Sequence, residues 1–189
     1  MHSLPQQHEP VWYFTRELRH AYTPAELRDW LLDPGSLTAR LRANCPGRFR
    51  VEVLSQVWRA PQHNEIRRLG MRERQMSFIR EVYLYCGDEP MVFARTVIPR
   101  RTLRGKQKHL AGLGTRPLGA VLFADPHMQR DEIEVAYLHA GEGLYHKAVS
   151  AVAKSSAGIW GRRSVFYLEH KPLLVSEIFL PGITRLRAR

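Results

Sequence analysis

Two charged residues stand where charge is costly. Arg80 lies in Met76-Ser77-Phe78-Ile79-Arg80-Glu81-Val82-Tyr83-Leu84-Tyr85, a run of strand-forming composition. Side chains alternate along a strand, so Met76, Phe78, Val82 and Leu84 share one face with Arg80. Near the C-terminus Glu177 holds the matching position, on a face with Leu173, Val175 and Phe179. A charge on an apolar face needs a partner before it can be buried. Two arrangements meet that need. Arg80 and Glu177 can bridge each other inside the fold. Alternatively they line a pocket, with the guanidinium facing the acidic end of a small ligand and the carboxylate facing its hydroxyl end.

Two hairpins must position these side chains. Gly87-Asp88-Glu89-Pro90 turns the first run into Met91–Ile98, and His170-Lys171-Pro172 turns Ser164–Glu169 into Leu173–Leu180. Phe49–Trp58 and Glu132–Tyr137 read as further strands, and Gly158-Ile159-Trp160-Gly161 as a lead into the last hairpin. Thr23-Pro24-Ala25-Glu26 has the cap, proline and acid of a helix start, and Leu27, Trp30 and Leu31 follow at helical spacing. Asp33-Pro34-Gly35 ends that helix, and Ser36 caps a second through Leu37–Ala43. Helices are also predicted over Gly105–Leu113, Leu118–Phe123 and Leu144–Ser156, with Gln62–Gly70 a loop or short helix. Consecutive hairpins with helices gathered around them predict an α+β fold with a single antiparallel β-sheet. No repeat or domain boundary is visible, so residues 1–189 read as one domain with flexible ends at 1–10 and 182–189.

Bulk properties narrow the function. The chain has 189 residues, 44% of them hydrophobic, enough for a sizeable core. A net charge of +11 attracts anions without naming them. The basic runs Arg100–Lys106 and Arg185–Arg189 carry no interleaved aromatics, so a solvated surface accounts for them and no nucleic-acid partner is expected. The helix–turn–helix near the N-terminus is better explained by packing, because its second helix is short and apolar-striped. No stretch approaches the roughly 20 apolar residues of a membrane span, so no membrane insertion is expected. The first ten residues lack the apolar core of a signal peptide, which points to the cytoplasm. Cys45 and Cys86 are then expected as reduced core thiols. No dinucleotide fingerprint, phosphate-cradling glycine loop or metal-ligand spacing is present, so no cofactor and no metal are expected. An enzyme so equipped supplies shape, charge and orientation to an already reactive substrate, as in an aromatising elimination.

A set of ordered segments adds to this. Arg80-Glu81-Val82, Arg95-Thr96-Val97-Ile98-Pro99, Pro117-Leu118-Gly119, Arg130-Asp131, Gly158–Ser164 and Lys171–Pro181 together resemble the chorismate pyruvate-lyase family. The resemblance runs from about Leu27 to Pro181 and is specific as a set. It implies cleavage of chorismate to 4-hydroxybenzoate and pyruvate, the committed step toward the ubiquinone ring, with no cofactor. It implies an antiparallel sheet with an internal ligand cavity covered by two helical flaps. By motif, Arg80 resembles the arginine that binds the ligand carboxylate, and Leu118 the flap residue whose backbone N–H faces it. Glu177 resembles the carboxylate that meets the ring hydroxyl, and Leu37 falls where the first flap touches ligand, in place of an expected Met. Arg80 and Glu177 are thus the catalytic candidates. Arg95, on a face with Met91, Phe93 and Val97, reads as structural, with the enolpyruvyl carboxylate as its alternative partner. Leu138–Ala157 looks inserted, as a surface helix or an altered lid. A monomer is expected. The competing readings are a non-catalytic effector-sensing domain of the related regulator fold and a basic nucleic-acid binder.

Overall fold

Pairing of the β-branched and aromatic runs builds the molecule, whose computed structural model describes residues 8–17, 23–152 and 158–186. Eight strands form one antiparallel sheet among these residues. They are β1 (Tyr13–Phe14), β2 (Phe49–Arg59), β3 (Ser77–Cys86), β4 (Glu89–Pro99), β5 (Gln129–Arg130), β6 (Glu134–His139), β7 (Gly158–Leu168) and β8 (Lys171–Phe179). Their order is β1-β6-β7-β8-β4-β3-β2, with β5 also on β7. The two expected hairpins are β3–β4 and β7–β8, and they join through β4 and β8. Gly87 turns the first at φ +60°, which glycine tolerates without a Cβ clash. Glu169 and His170 turn the second at φ +48° and +63°, the sign that a two-residue type I′ turn demands at both positions.

Register sorts the central side chains onto two faces. On the near face, Arg80 lies opposite Thr96, Thr96 opposite Val175, and Val175 opposite Ser164. The next row is Val82, Ala94, Glu177 and Arg162. Glu81, Tyr83, Phe93, Arg95 and Arg163 point to the far face. Every residue of β3 is buried, so both faces are covered. Helices α1 (Ala25–Leu31) and α2 (Leu37–Asn44) pack their apolar stripe on one end of the near face, against Val82, Leu84 and Phe179. A 3-10 segment (Gly105–Gly112) and α4 (Leu118–Leu122) cover the other end, against Phe78, Phe166 and Leu173. Helices α3 (His63–Arg68) and α5 (Gly143–Val149) cover the far face.

Several expectations are corrected. Thr23 makes no cap hydrogen bond to α1, because Pro24 occupies the cap position. Ser36 does cap α2, through the Ala39 N–H at 3.3 Å. Strand β7 begins at Gly158 rather than Ser164, and α5 ends at Val149. The remainder of the helix expected to Ser156 falls partly outside the described residues, as do residues 1–7 and 187–189 of the expected flexible ends. Residues 8–10 are held: the Glu9 carboxylate accepts from the first backbone amides of α3, His63 N at 2.7 Å and Asn64 N at 2.8 Å. Residues 182–186 are held too, with Ile183 and Leu186 buried. Cys45 and Cys86 are disulfide-bonded rather than reduced. Cys45 follows α2 and Cys86 ends β3, and β2–β3 pairing brings their Cα atoms to 5.6 Å, within bridging range.

Candidate functional site

Between the two covers of the near face lies a small, partly open pocket, about 40 Å³ in volume. Strand alternation supplies its floor. Arg80, Val82 and Leu84 come from β3, Ala94 and Thr96 from β4, Val175 and Glu177 from β8. Ala94 and Thr96 are small, so β4 leaves room between Arg80 and Glu177. These two residues sit two strands apart and one row out of step. Strand spacing and rise then separate their Cα atoms by about 12 Å. Leu37 and Thr38 of α2, and Leu118, Gly119 and Leu122 of α4, form the roof. The helices approach closely at Gly119, where a Cβ would lie 3.1 Å from Thr38 Oγ1. The four expected residues Arg80, Glu177, Leu118 and Leu37 therefore line one space.

The charges there are unevenly satisfied. Arg80 is 2% exposed. Its Nη2 donates to the carbonyls of Gly114 at 3.0 Å and Arg116 at 3.2 Å, in the loop that leads into α4. Its Nε has no partner, the one buried side-chain nitrogen or oxygen so placed among the described residues. Burial alone pushes this guanidinium down to about 10. It stays cationic at neutral pH, at a cost that an anion would relieve.

Arg80 and Glu177 do not bridge each other. Glu177 Oε2 accepts from Arg162 Nε at 2.6 Å, and Arg162 Nη1 is fixed by the carbonyls of Trp30 and Asp33 at 2.8 and 2.7 Å. No donor reaches Glu177 Oε1 among the described residues. Arg130, from β5, completes the charged wall. Its Nε donates to Ser164 Oγ at 3.1 Å and its Nη1 to Pro34 O at 2.8 Å. Burial, aided by the charge of Arg162, lowers its pKa to about 10 against the opposing pull of Glu177 and Asp33. Arg162 and Arg130 escaped the sequence reading. A signal was available for Arg162: counting back from the β7–β8 turn places it opposite Glu177.

Arg95 is elsewhere. It lies on the far face, 3% exposed. It is clamped by Glu65 through Nε at 2.7 Å and Nη2 at 2.9 Å, and by Glu81 at 2.5 Å. It does not line the near-face pocket. The segment expected as an insertion also packs on that face, where the Tyr83 hydroxyl donates to α5 carbonyls and Lys147 pairs with Glu81 at 2.9 Å. Among the described residues, no three His, Cys, Asp or Glu side chains converge as a metal site would require. None of the described helices is long and apolar enough to cross a membrane.

Comparison with known proteins addresses the fold and the family. The structure resembles the C-terminal domain of the histidine utilization repressor from Pseudomonas syringae pv. tomato, with TM-score 0.54 and 16% identity over 75% of this chain and 98% of that one. It also resembles the ligand-binding domain of a putative GntR-family transcriptional regulator from Bordetella bronchiseptica, with TM-score 0.51 and 14% identity over 71% and 86% of the two chains. At such identities these likenesses concern the fold. In sequence, the chain is 46% identical to the probable chorismate pyruvate-lyase of Aromatoleum aromaticum, over 86% of this chain and 89% of that one. It is 46% identical to that of an Azoarcus species over 85% and 86%, and 38% identical to that of Methylobacillus flagellatus over 90% and 96%. The family model described as chorismate lyase matches residues 8–187, so the chain belongs to the chorismate lyase family.

Proposed function

We propose that this protein eliminates pyruvate from chorismate to give 4-hydroxybenzoate, without a cofactor. The observation that carries this reading is Arg80, a buried guanidinium with an unpartnered Nε on the wall of a space it shares with Glu177. A planar ring carboxylate suits that fork, and the backbone N–H of Leu118 at the start of α4 is the second donor. At the other end, Glu177 Oε1 accepts from the C4 hydroxyl while Arg162 fixes the carboxylate through Oε2. In the reaction the C3–O bond to the enolpyruvyl group breaks, the C4 proton leaves, and the released enolate is protonated to pyruvate. Glu177 orients the hydroxyl on the carbon that loses the proton. Aromatisation supplies much of the driving force, so orientation and charge are the main demands on the protein.

We read α2 and α4 as the two flaps of the cavity. The pocket of about 40 Å³ is well below the roughly 300 Å³ at the small end of ligand sites, so α2 and α4 part to admit a ring. Leu37 and Leu118 then close on the ring. Leu37 serves as well as Met there, since the two are close in volume.

Purified protein mixed with chorismate should release pyruvate and 4-hydroxybenzoate in equal amounts. A second reading, effector sensing, rests on the likeness to regulator domains. Tight 4-hydroxybenzoate binding with no turnover would support it and sink the lyase assignment. The proposal extends to ubiquinone: cells lacking this protein should lose the quinone and regain it when fed 4-hydroxybenzoate.

A further inference from the structure

The near-face wall carries three arginines, Arg80, Arg130 and Arg162, and one carboxylate, Glu177. Arg162 is neutralised by Glu177. Two guanidiniums remain without a carboxylate among the described residues: Arg80 and, across the sheet, Arg130. Among the described residues the only hydrogen-bond acceptors of Arg130 are backbone carbonyls and one hydroxyl, none of them at Nη2. Phe166 underlies the group, 5.1 Å from ring centroid to guanidinium carbon, within range of a cation–π contact. The excess of two positive charges matches a ligand with two carboxylates. 4-Hydroxybenzoate carries one, and chorismate carries a second on its enolpyruvyl arm.

Granting the lyase reading, on which this rests, we propose that Arg130 binds the enolpyruvyl carboxylate of the substrate. Arg80 and Glu177 fix the ring at its two ends. The arm branches beside the hydroxyl held by Glu177, and Arg130 lies on the β7 side of Glu177, opposite Phe166 and with its Nε on Ser164. Arg95 is excluded from this role by its position on the far face and its carboxylate partners. Arg130 therefore discriminates substrate from product. Once the arm leaves as pyruvate, 4-hydroxybenzoate retains the Arg80 and Glu177 contacts and loses the third.

The test compares ligands with one and two carboxylates. Calorimetry would measure 4-hydroxybenzoate and its unreactive ether 4-hydroxy-3-(1-carboxyvinyloxy)benzoate on wild type and Arg130→Gln, alongside chorismate turnover. The variant should lose roughly ten- to a hundredfold in affinity for the ether and in kcat/KM, the scale of a charged hydrogen bond. Its affinity for 4-hydroxybenzoate should stay within about twofold. Arg130→Lys should recover part of the loss. Equal losses for both ligands would make Arg130 a structural strut and overturn the proposal, as would no loss for either. If Arg130→Gln unfolds, the lysine variant carries the same comparison. Wild type that discriminates the two ligands through Arg130 yet turns over no chorismate would refute the lyase reading alone.

Discussion

Both faces of the sheet bury arginines, and they treat them in opposite ways. Arg95 on the far face and Arg80 on the near face are 3% and 2% exposed. Burial depresses both guanidiniums. For Arg95 the hydrogen bonds and charges of Glu65 and Glu81 outweigh that, and its pKa ends above the ordinary value. Arg80 has only carbonyl partners and ends at about 10. Arg163 on the same face is also partnered within the protein, with two hydrogen bonds to Glu134 and one to Asn64, although burial outweighs them and leaves its pKa below the ordinary value. Equal burial therefore does not mean equal purpose. Charge paired within the protein serves the fold, and on the function proposed above the charge left open serves binding.

Substituting the two arginines alike is the harshest trial of that distinction. Arg95→Met strands Glu65, while Glu81 keeps Arg59 and Lys147, and should cost about 3–5 kcal/mol of stability in chemical denaturation. Arg80→Met should leave stability unchanged or raise it, because an unsatisfied donor is removed. If the two variants lose stability equally, the near-face charge is structural and the contrast collapses.

Acid offers a second probe of the far face. Burial would raise the Glu81 carboxyl, but the Lys147 hydrogen bond and the charges of Arg95, Lys147 and Arg59 outweigh it and hold it at about 2. A carboxyl lowered on folding stabilises the native state above its unfolded pKa and loses that effect as pH falls toward the folded one. Roughly 3 kcal/mol should therefore fade between about pH 5 and pH 2. Glu81→Gln should remove that part of the acid slope. A slope unaltered by the substitution would mean that other carboxyls dominate acid unfolding.

Binding is the near face's own measure. Arg80→Met should weaken 4-hydroxybenzoate by about 2 kcal/mol or more, the scale of a charged hydrogen bond. Unchanged affinity would take Arg80 out of the site. Glu177→Gln should lower chorismate turnover at least about tenfold. The amide still accepts from Arg162, so the accompanying loss of stability should be smaller than that of Arg95→Met. Normal turnover would leave Glu177 as no more than the partner of Arg162.

What the sequence disclosed follows the range of the forces involved. Period-two alternation is local, so the faces of Arg80 and Glu177 and both hairpins could be read directly. Pairing between distant segments is not local. Nothing in the chain order announces that Glu65 meets Arg95, or that Cys45 returns to Cys86. Gly158 and Gly161 hid the start of β7, because glycine is poor strand material. There it serves close approach: a Cβ on Gly161 would fall 2.5 Å from Ile178 Cδ1. Missing those residues of β7 is what concealed Arg162, and with it the partner that Glu177 actually has. Alternation thus places both charges on one face, and only strand pairing brings Arg162 opposite Glu177.

The covers of the two faces differ as their charges do, and this yields the smallest prediction. Far-face helix α3 is tied by the Glu9 carboxylate at its start and by Glu65 to Arg95 beneath it. Near-face α2 and α4 meet each other at Gly119, under Thr38 and Ser36. A methyl there would lie 3.1 Å from Thr38 Oγ1 and 3.4 Å from Ser36 Oγ, tight enough to push the helices slightly apart. Gly119→Ala should therefore cost about 1 kcal/mol of closure, the low end of overpacking. Product affinity should fall roughly fivefold, with faster release and little change in melting temperature, since the far face still holds the sheet. If 4-hydroxybenzoate binds and leaves the variant as it does the wild type, α2 and α4 do not close over the ligand.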